Sequence, residues 1–386
     1  MRHFDHLAEH VRAELFHQAP CSFDRNSDRS VLAHALGATL YVPATKDNLA
    51  GTVRRRATAG AKSMVIDLED AISDASVDSA LTSTALTLRD LHDDPPESLV
   101  FVRVRSADHI RQLVDALGPA LSIVSGFVLP KFSVEAGADY LQAVADADEK
   151  SEHPLYAMPV VETPAVLYRE SRDAELVGIR ELLERHRERV LAVRIGATDL
   201  CGLFGIRRDR DLSIYDVGVA ADLIAQVVNH LGRSDGSGYA ITGPVWEYFA
   251  NHERILRPQL RQTPFDERHA AGLRRQLMSS DLDGLMRETL LDRANGLTGK
   301  SVIHPLHIAP VHALAVVPHE EYLDALDVLA PEAAAGGVRR SEYRNKMNEI
   351  RPHRNWAERT ALRAEVFGVA AQGISHVDIM NAQQEN

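Results

Sequence analysis

Short apolar runs alternate along the chain with longer segments in which apolar residues recur every three or four positions. The runs Ala38–Val42, Ser63–Leu68, Leu99–Val104, Gly126–Leu129, Leu155–Val161, Val190–Ile195, Tyr239–Thr242 and Ser301–Ile303 are expected to be strands. Between and after them the pattern predicts helices over Asn48–Ala59, Val77–Leu91, Asp108–Leu117, Val134–Ala145, Arg169–Arg189, Ile214–Leu231, residues 264–281 and His307–Val316. Strands that alternate with helices at this spacing imply a parallel sheet. Eight such pairs in about 280 residues fit a closed (β/α)₈ barrel, an α/β fold, better than an open dinucleotide-binding sheet. The absence of a GxGxxG after the first strand points the same way.

The flanks follow a different pattern. Residues 3–17 read as a helix and 18–30 as a polar linker, so residues 1–30 stand outside a barrel spanning 31–317. Residues 318–386 are expected to form a helical arm or lid, with a helix over Glu320–Leu329, a flexible link at Pro331–Val338 and a last helix over Ala361–Ala371. Arg339, Arg340, Arg344, Lys346, Arg351, Arg354, Arg359 and Arg363 make this arm basic. A solvated helix face and a phosphate-binding surface are equally good readings of it. The polar tail from Gln372 is expected to be disordered.

Composition narrows the function classes. A net charge of −12 argues against a nucleic-acid-binding protein. Cys21 and Cys201 cannot build a disulfide framework or a zinc cluster, which suits a reducing cytoplasm. The first residues lack the apolar core of a signal peptide, and no apolar run of about 18 residues exists to span a membrane.

The charged residues fall at the predicted strand ends, where a barrel places its chemistry. Asp67, Glu69 and Asp70 follow the second strand, Arg103 and Arg105 the third, Lys131 the fourth, Glu162 the fifth, Asp199 the sixth and His304 the eighth. Two buried strands that each end on a carboxylate are suited to hold a hard divalent cation, so Glu162 and Asp199 are the candidate metal ligands. Asp199 has a rival role as a helix N-cap. Arg103 could instead pair with the Asp67–Asp70 cluster. An ion pair or a substrate contact suits Lys131 better than a Schiff base beside metal-type carboxylates. His304 before Pro305 suits a structural histidine, and core packing is the safer role for Trp246 and Glu247.

Six segments in order resemble the HpcH/HpaI aldolase and citrate lyase beta-subunit superfamily, which includes malyl-CoA lyases. They are VIDLEDAI (65–72), FVRVR (101–105), VLPKF (128–132), PVVETPAVL (159–167), GATDLCGLFG (196–205) and GKSVIHPLHI (299–308). The resemblance covers residues 38–317. It implies a Mg²⁺-dependent carbon–carbon lyase or aldolase, with Mn²⁺ as a substitute, acting on a hydroxy acid or its CoA thioester through an enolate. On that basis Glu162 and Asp199 bind the metal, and Arg103 grips the substrate carboxylate or oxyanion. Glu69, Asp70 or a metal-bound water takes the hydroxyl proton. A homo-oligomer is also implied. The sequence departs from the family at Arg105, where asparagine is usual, and in the long charged stretch 169–189 between the two metal motifs. Arg105 and Lys131 are therefore assigned to substrate binding. The extra charge leaves open a phosphorylated or nucleoside-like substrate, and a third alternative is a non-catalytic subunit of a larger assembly.

Overall fold

The computed structural model describes residues 1–249, 282–330, 337–343 and 345–384. The helix expected over 264–281, most of the link at 331–338 and Arg344 lie outside the described residues. Eight parallel strands close a barrel in chain order: β1 (Ala38–Pro43), β2 (Ser63–Asp67), β3 (Leu99–Arg103), β4 (Val124–Leu129), β5 (Tyr156–Val161), β6 (Ala192–Ile195), β7 (Ala240–Trp246) and β8 (Thr298–Val302). The (β/α)₈ expectation therefore holds. Helices cover the outside. Ala107–Leu117, for example, buries Ile110, Leu113, Val114 and Leu117 at helical spacing and is capped by Ser106, whose side chain accepts from the His109 amide. The charged stretch after β5 is such an outer helix, Arg169–Arg185, with Leu176, Ile179, Leu182 and Leu183 buried. It lies on the barrel wall and does not cover the rim. Its Arg172 is buried because the guanidinium donates to the Val166 and Leu167 carbonyls and pairs with Asp222 at 2.6 Å.

The flanks depart from expectation. The N-terminal helix is shorter, Glu9–Leu15, because Phe16–Gln18 forms a strand antiparallel to Val369–Ala370. The helix expected over Ala361–Ala371 instead runs Ile350–Phe367 and stops at Gly368, whose φ of 79° favours glycine. The tail does not dangle. His376–Gln384 is a helix that sinks Val377, Ile379 and Met380 into the main core. Arg359 donates to the Gly232 carbonyl ahead of β7, and Phe367 packs with His3 and His312 beneath β1. These contacts lie at the end of the barrel where strands begin. The arm is thus no lid over the opposite rim, where chemistry occurs in this fold.

The histidines of this seam carry a pH dependence. The His3 ring is 4.6 Å from that of His312 and stacks on Phe367, and His312 accepts from the Ala38 amide at 3.1 Å. Burial pushes His3 down to about 3 and His312 well below its usual value. The unfolded chain protonates both near pH 6.5 while the folded chain keeps them neutral, so stability is complete above that pH and is lost below it. Each histidine costs about 1.4 kcal/mol per pH unit over this window. We expect the urea midpoint to fall between pH 7 and pH 5, and the fall to shrink in His3→Gln. Equal midpoints at both pH values would contradict a neutral buried pair.

Candidate active site at the C-terminal rim

The strand ends converge as the barrel geometry requires. Arg103, the last residue of β3, forms a bidentate pair with Asp67 at the end of β2, with Nε–Oδ1 at 2.6 Å and Nη2–Oδ2 at 2.7 Å. Its Nη1 lies 2.9 Å from Glu69 and 3.1 Å from Asp70. Burial alone would lower the Arg103 pKa, but the Asp67 hydrogen bonds and charge outweigh it and hold the guanidinium above its usual value. Arg103 is therefore committed to carboxylates.

Lys131 adopts a left-handed backbone with φ of 48°, which turns its amide into the barrel mouth. That amide donates to Glu162 Oε1 at 2.7 Å, while its ammonium pairs with Glu69 and lies 3.7 Å from Asp70. The lysine thus secures both acids without plugging Glu162 with its charge. Burial raises the Glu69 pKa, helped by a hydrogen bond with Asp70. For Asp70 burial acts upward too, but the Glu69 hydrogen bond and the Arg103 and Lys131 charges outweigh it and lower the value.

Glu162 follows β5 and is only 3% exposed. Its room comes from Gly196 after β6, where a Cβ would lie 1.8 Å from Oε2. Burial drives its pKa up to about 8, against the Lys131 amide, with the charges of Asp199 and Glu69 adding to the rise. Asp199 sits in the first turn of the helix Ala197–Gly202, whose N-cap is Gly196, so it does not cap the helix. Its charge acts on both Glu162 and Lys131.

Arg105, expected to meet substrate, is held by the loop after β2. It donates to the Leu68, Glu69 and Ile72 carbonyls and pairs with Asp74 at 2.5 Å. A cleft of about 560 Å³ opens beside it, lined by Glu69, Asp70, Lys131 and Tyr140 among others. Tyr140 donates to the Arg105 carbonyl at 2.8 Å. His304 stacks on Phe249 at 4.7 Å and caps the next turn by accepting from the Leu306 amide, as a structural histidine does. Trp246 is buried core, and Glu247 accepts from Thr198 at 2.8 Å.

Asp67, Glu69, Asp70, Glu162 and Asp199 outnumber the cations Arg103 and Lys131 at the rim. Among the described residues no three His, Cys, Asp or Glu side chains cluster as a closed metal cage. Two carboxylates with excess negative charge are a donor set Mg²⁺ accepts, because that ion keeps several waters. The residues present therefore fit a hard divalent cation.

Tyr41 and Arg194 lie next to Arg103, and strand-end reasoning passed over both because they lie in strand bodies. Arg194 on β6 donates to Ser301 on β8 at 2.7 Å and touches Met158 on β5 at 3.6 Å. Its guanidinium lies 5.4 Å from the Tyr41 ring on β1, and that of Arg103 lies 5.2 Å away. Side chains from β5, β6, β8 and β1 meet this way only inside the barrel. A charge within the four-residue buried run of β6 was the available signal.

The fold and the rim define a (β/α)₈ protein with an acidic mouth. The family described as C-C bond lyase of the TIM-barrel fold matches residues 30–369, and the chain belongs to it. No curated protein sequence matches the chain. Among solved structures it is similar to the CitE protein of Mycobacterium tuberculosis, solved with magnesium, acetoacetate and coenzyme A. The identity there is 21%, covering 86% of this chain and 99% of that one, with a TM-score of 0.53. A citrate lyase from Burkholderia xenovorans is 15% identical, with 89% and 96% covered and a TM-score of 0.60. At these identities the likeness shows the fold. Among the described residues no helix is long and apolar enough to cross a membrane.

Proposed function

We propose that the chain is a Mg²⁺-dependent lyase of the citrate lyase beta and malyl-CoA lyase type, acting on a small hydroxy acid or its CoA thioester. The observation that carries this is the buried Glu162 carboxylate, pinned by the Lys131 amide, acted on by the charge of Asp199 and engaged in no ion pair among the described residues. Glu162 and Asp199 are the residues to hold the ion. When bound, Mg²⁺ supplies Lewis-acid polarisation of the substrate oxygen that gains charge as the bond breaks; Mn²⁺ is expected to substitute.

The chain's own groups supply the proton traffic. Glu69 and Asp70 lie 2.9 and 3.1 Å from the same Arg103 nitrogen, and their environments push their pKa values apart, which separates acid from base. Asp70, half exposed to the cleft, takes the proton from the substrate hydroxyl. The carbon–carbon bond then breaks, leaving a carbonyl fragment and an enolate. Glu69, whose pKa burial raises, serves as the acid that returns a proton to the enolate carbon, and the proton taken by Asp70 passes back to Glu69 to restore the pair. Lys131, with 54% of its side chain exposed, is the rim cation that a substrate carboxylate reaches. Arg103 lies deeper and holds the acids in place. A phosphorylated or nucleoside-like substrate rested on Arg105 and the basic arm. The first is bound to its loop, and Arg359 of the second bonds the Gly232 carbonyl at the far end of the barrel, which favours the hydroxy-acid class.

The test is release of the keto or aldehyde fragment from a panel of free hydroxy acids and their CoA thioesters. We expect cleavage in Mg²⁺, loss in excess chelator and recovery on adding Mg²⁺ or Mn²⁺. Full activity in chelator would rule the reading out.

A further inference from the structure

Arg194 is the charge in this barrel that the chemistry above leaves unexplained. It is 1% exposed, and its partners among the described residues are the Ser301 hydroxyl, the Met158 sulfur and the Tyr41 side chain, all neutral. Among the described residues its Nε has no hydrogen-bond partner. A buried guanidinium without a carboxylate is unfavourable by several kcal/mol, so its retention calls for a compensating group. Arg103 cannot take that part, since it carries the same charge and is committed to Asp67.

Tyr41 connects this charge to the rim. It is partly exposed, and Arg194, Arg103, Asp67 and Glu162 all act on its hydroxyl. Its ring lies against both guanidinium groups, and its hydroxyl therefore stands where the interior charge meets the metal-type carboxylates. The acids of the rim repel an anionic substrate, whereas this spot attracts one.

We infer that Tyr41 and Arg194, inside the barrel next to Arg103, form an anion-holding subsite for small organic acids. The Tyr41 hydroxyl donates to a carboxylate or enolate oxygen, and Arg194 acts through it as a positioning residue that makes the subsite positive. This deepens the lyase reading and rests on it for the barrel mouth's being the substrate site. The Glu162 charge acts on Tyr41, so an acid with two adjacent oxygens is the ligand that would engage the hydroxyl and the metal-type carboxylate together.

Oxalate, which mimics a planar enolate, is the probe. Titrations of the full chain by calorimetry are run with Mn²⁺ alone and then with oxalate, in the presence and absence of Mn²⁺. Variants are Tyr41→Phe, which keeps the ring, Arg194→Met, which keeps the bulk, and Arg194→Lys, which keeps the charge. Oxalate affinity is expected to fall about tenfold or more in Tyr41→Phe and Arg194→Met and to recover partly in Arg194→Lys, with Mn²⁺ affinity unchanged. The thermal midpoint of ligand-free Arg194→Met is expected to hold or rise, whereas a structural arginine would give a fall. Wild-type oxalate affinity in Tyr41→Phe and Arg194→Met overturns the subsite, as does a wild type that takes Mn²⁺ and no oxalate. A chain that binds oxalate through Tyr41 and Arg194 but takes no Mn²⁺ keeps the subsite and overturns the metal reading instead.

Discussion

Glu162→Gln removes divalent-metal binding at the rim and lowers kcat/KM by roughly 10³-fold, equivalent to about 4 kcal/mol of transition-state stabilisation. The substitution preserves shape, so the Lys131 amide keeps an oxygen acceptor where Glu162 Oε1 now lies 2.7 Å away. What disappears is the charge. Asp199→Asn acts in the same direction but less steeply, because Asp199 is the more exposed of the pair and water reaches it. The opposite effect is expected on stability. In the metal-free protein burial and the neighbouring Asp199 and Glu69 charges raise the Glu162 pKa to about 8, so folding must disfavour a carboxylate that the unfolded chain ionises freely. Glu162→Gln should therefore unfold at a higher temperature than the metal-free wild type while binding no Mg²⁺. Isothermal titration with Mg²⁺ and thermal unfolding in chelator measure the two effects on one preparation. Unchanged Mg²⁺ affinity in both variants would sink the assignment of ligands, whatever happens to the midpoint.

The barrel was legible because its strands are continuous apolar runs, buried on both faces, that stop at a charge or a proline. The rim acids were legible for the same reason, since each ends such a run. Where boundaries slipped, the cause lay in three dimensions. β7 runs on to Trp246, beyond the Thr242 expected, because its pairing with β8 shifts register at Gly243 and so admits the Gly-Pro break. β8 begins at Thr298, ahead of the expected Ser301, because Lys300 is carried into the strand by acids from another helix. The Phe16–Gln18 strand was hidden because its partner lies more than 350 residues along the chain at Val369–Ala370. Arg105 shows the limit of motif reasoning at the site. The residue type was visible, but the loop carbonyls that claim it belong to residues 68–72 and bend back only in the fold. Arg194 is the converse. Its position inside an apolar run looked like strand composition, and only the convergence of β1, β5 and β8 shows that the charge points into the barrel.

The second large effect lies away from the rim, in the charges that seat the helix Leu282–Ala294 against β8. Glu288 is fully buried and serves three donors: Lys300 at 3.0 Å, the Ile214 amide at 2.6 Å and the Arg208 guanidinium. Asp292, one turn on, accepts from Lys300 at 2.6 Å and from the Tyr215 hydroxyl at 2.8 Å. Arg208 also stacks on Trp246 at 5.0 Å, so the network joins the segment after β6, the end of β7 and β8 through one helix. Glu288→Gln leaves buried Arg208 with only the more distant Glu247, at 3.7 Å, and Lys300 with Asp292. Removing one member of a buried ionic cluster costs about 3–5 kcal/mol, because the remaining charge is left without compensation. The loss is to be read from urea unfolding at pH 7. Combining Glu288→Gln with Lys300→Met withdraws one cation along with the anion, and the double variant is expected to recover a kcal/mol or more relative to the sum of the single losses, an interaction energy of the size seen within such networks (about 0.5–3 kcal/mol). Strictly additive losses would show instead that the two residues act independently, and the cluster would then be a set of separate hydrogen bonds rather than a charge-balanced unit that fixes the helix on the barrel.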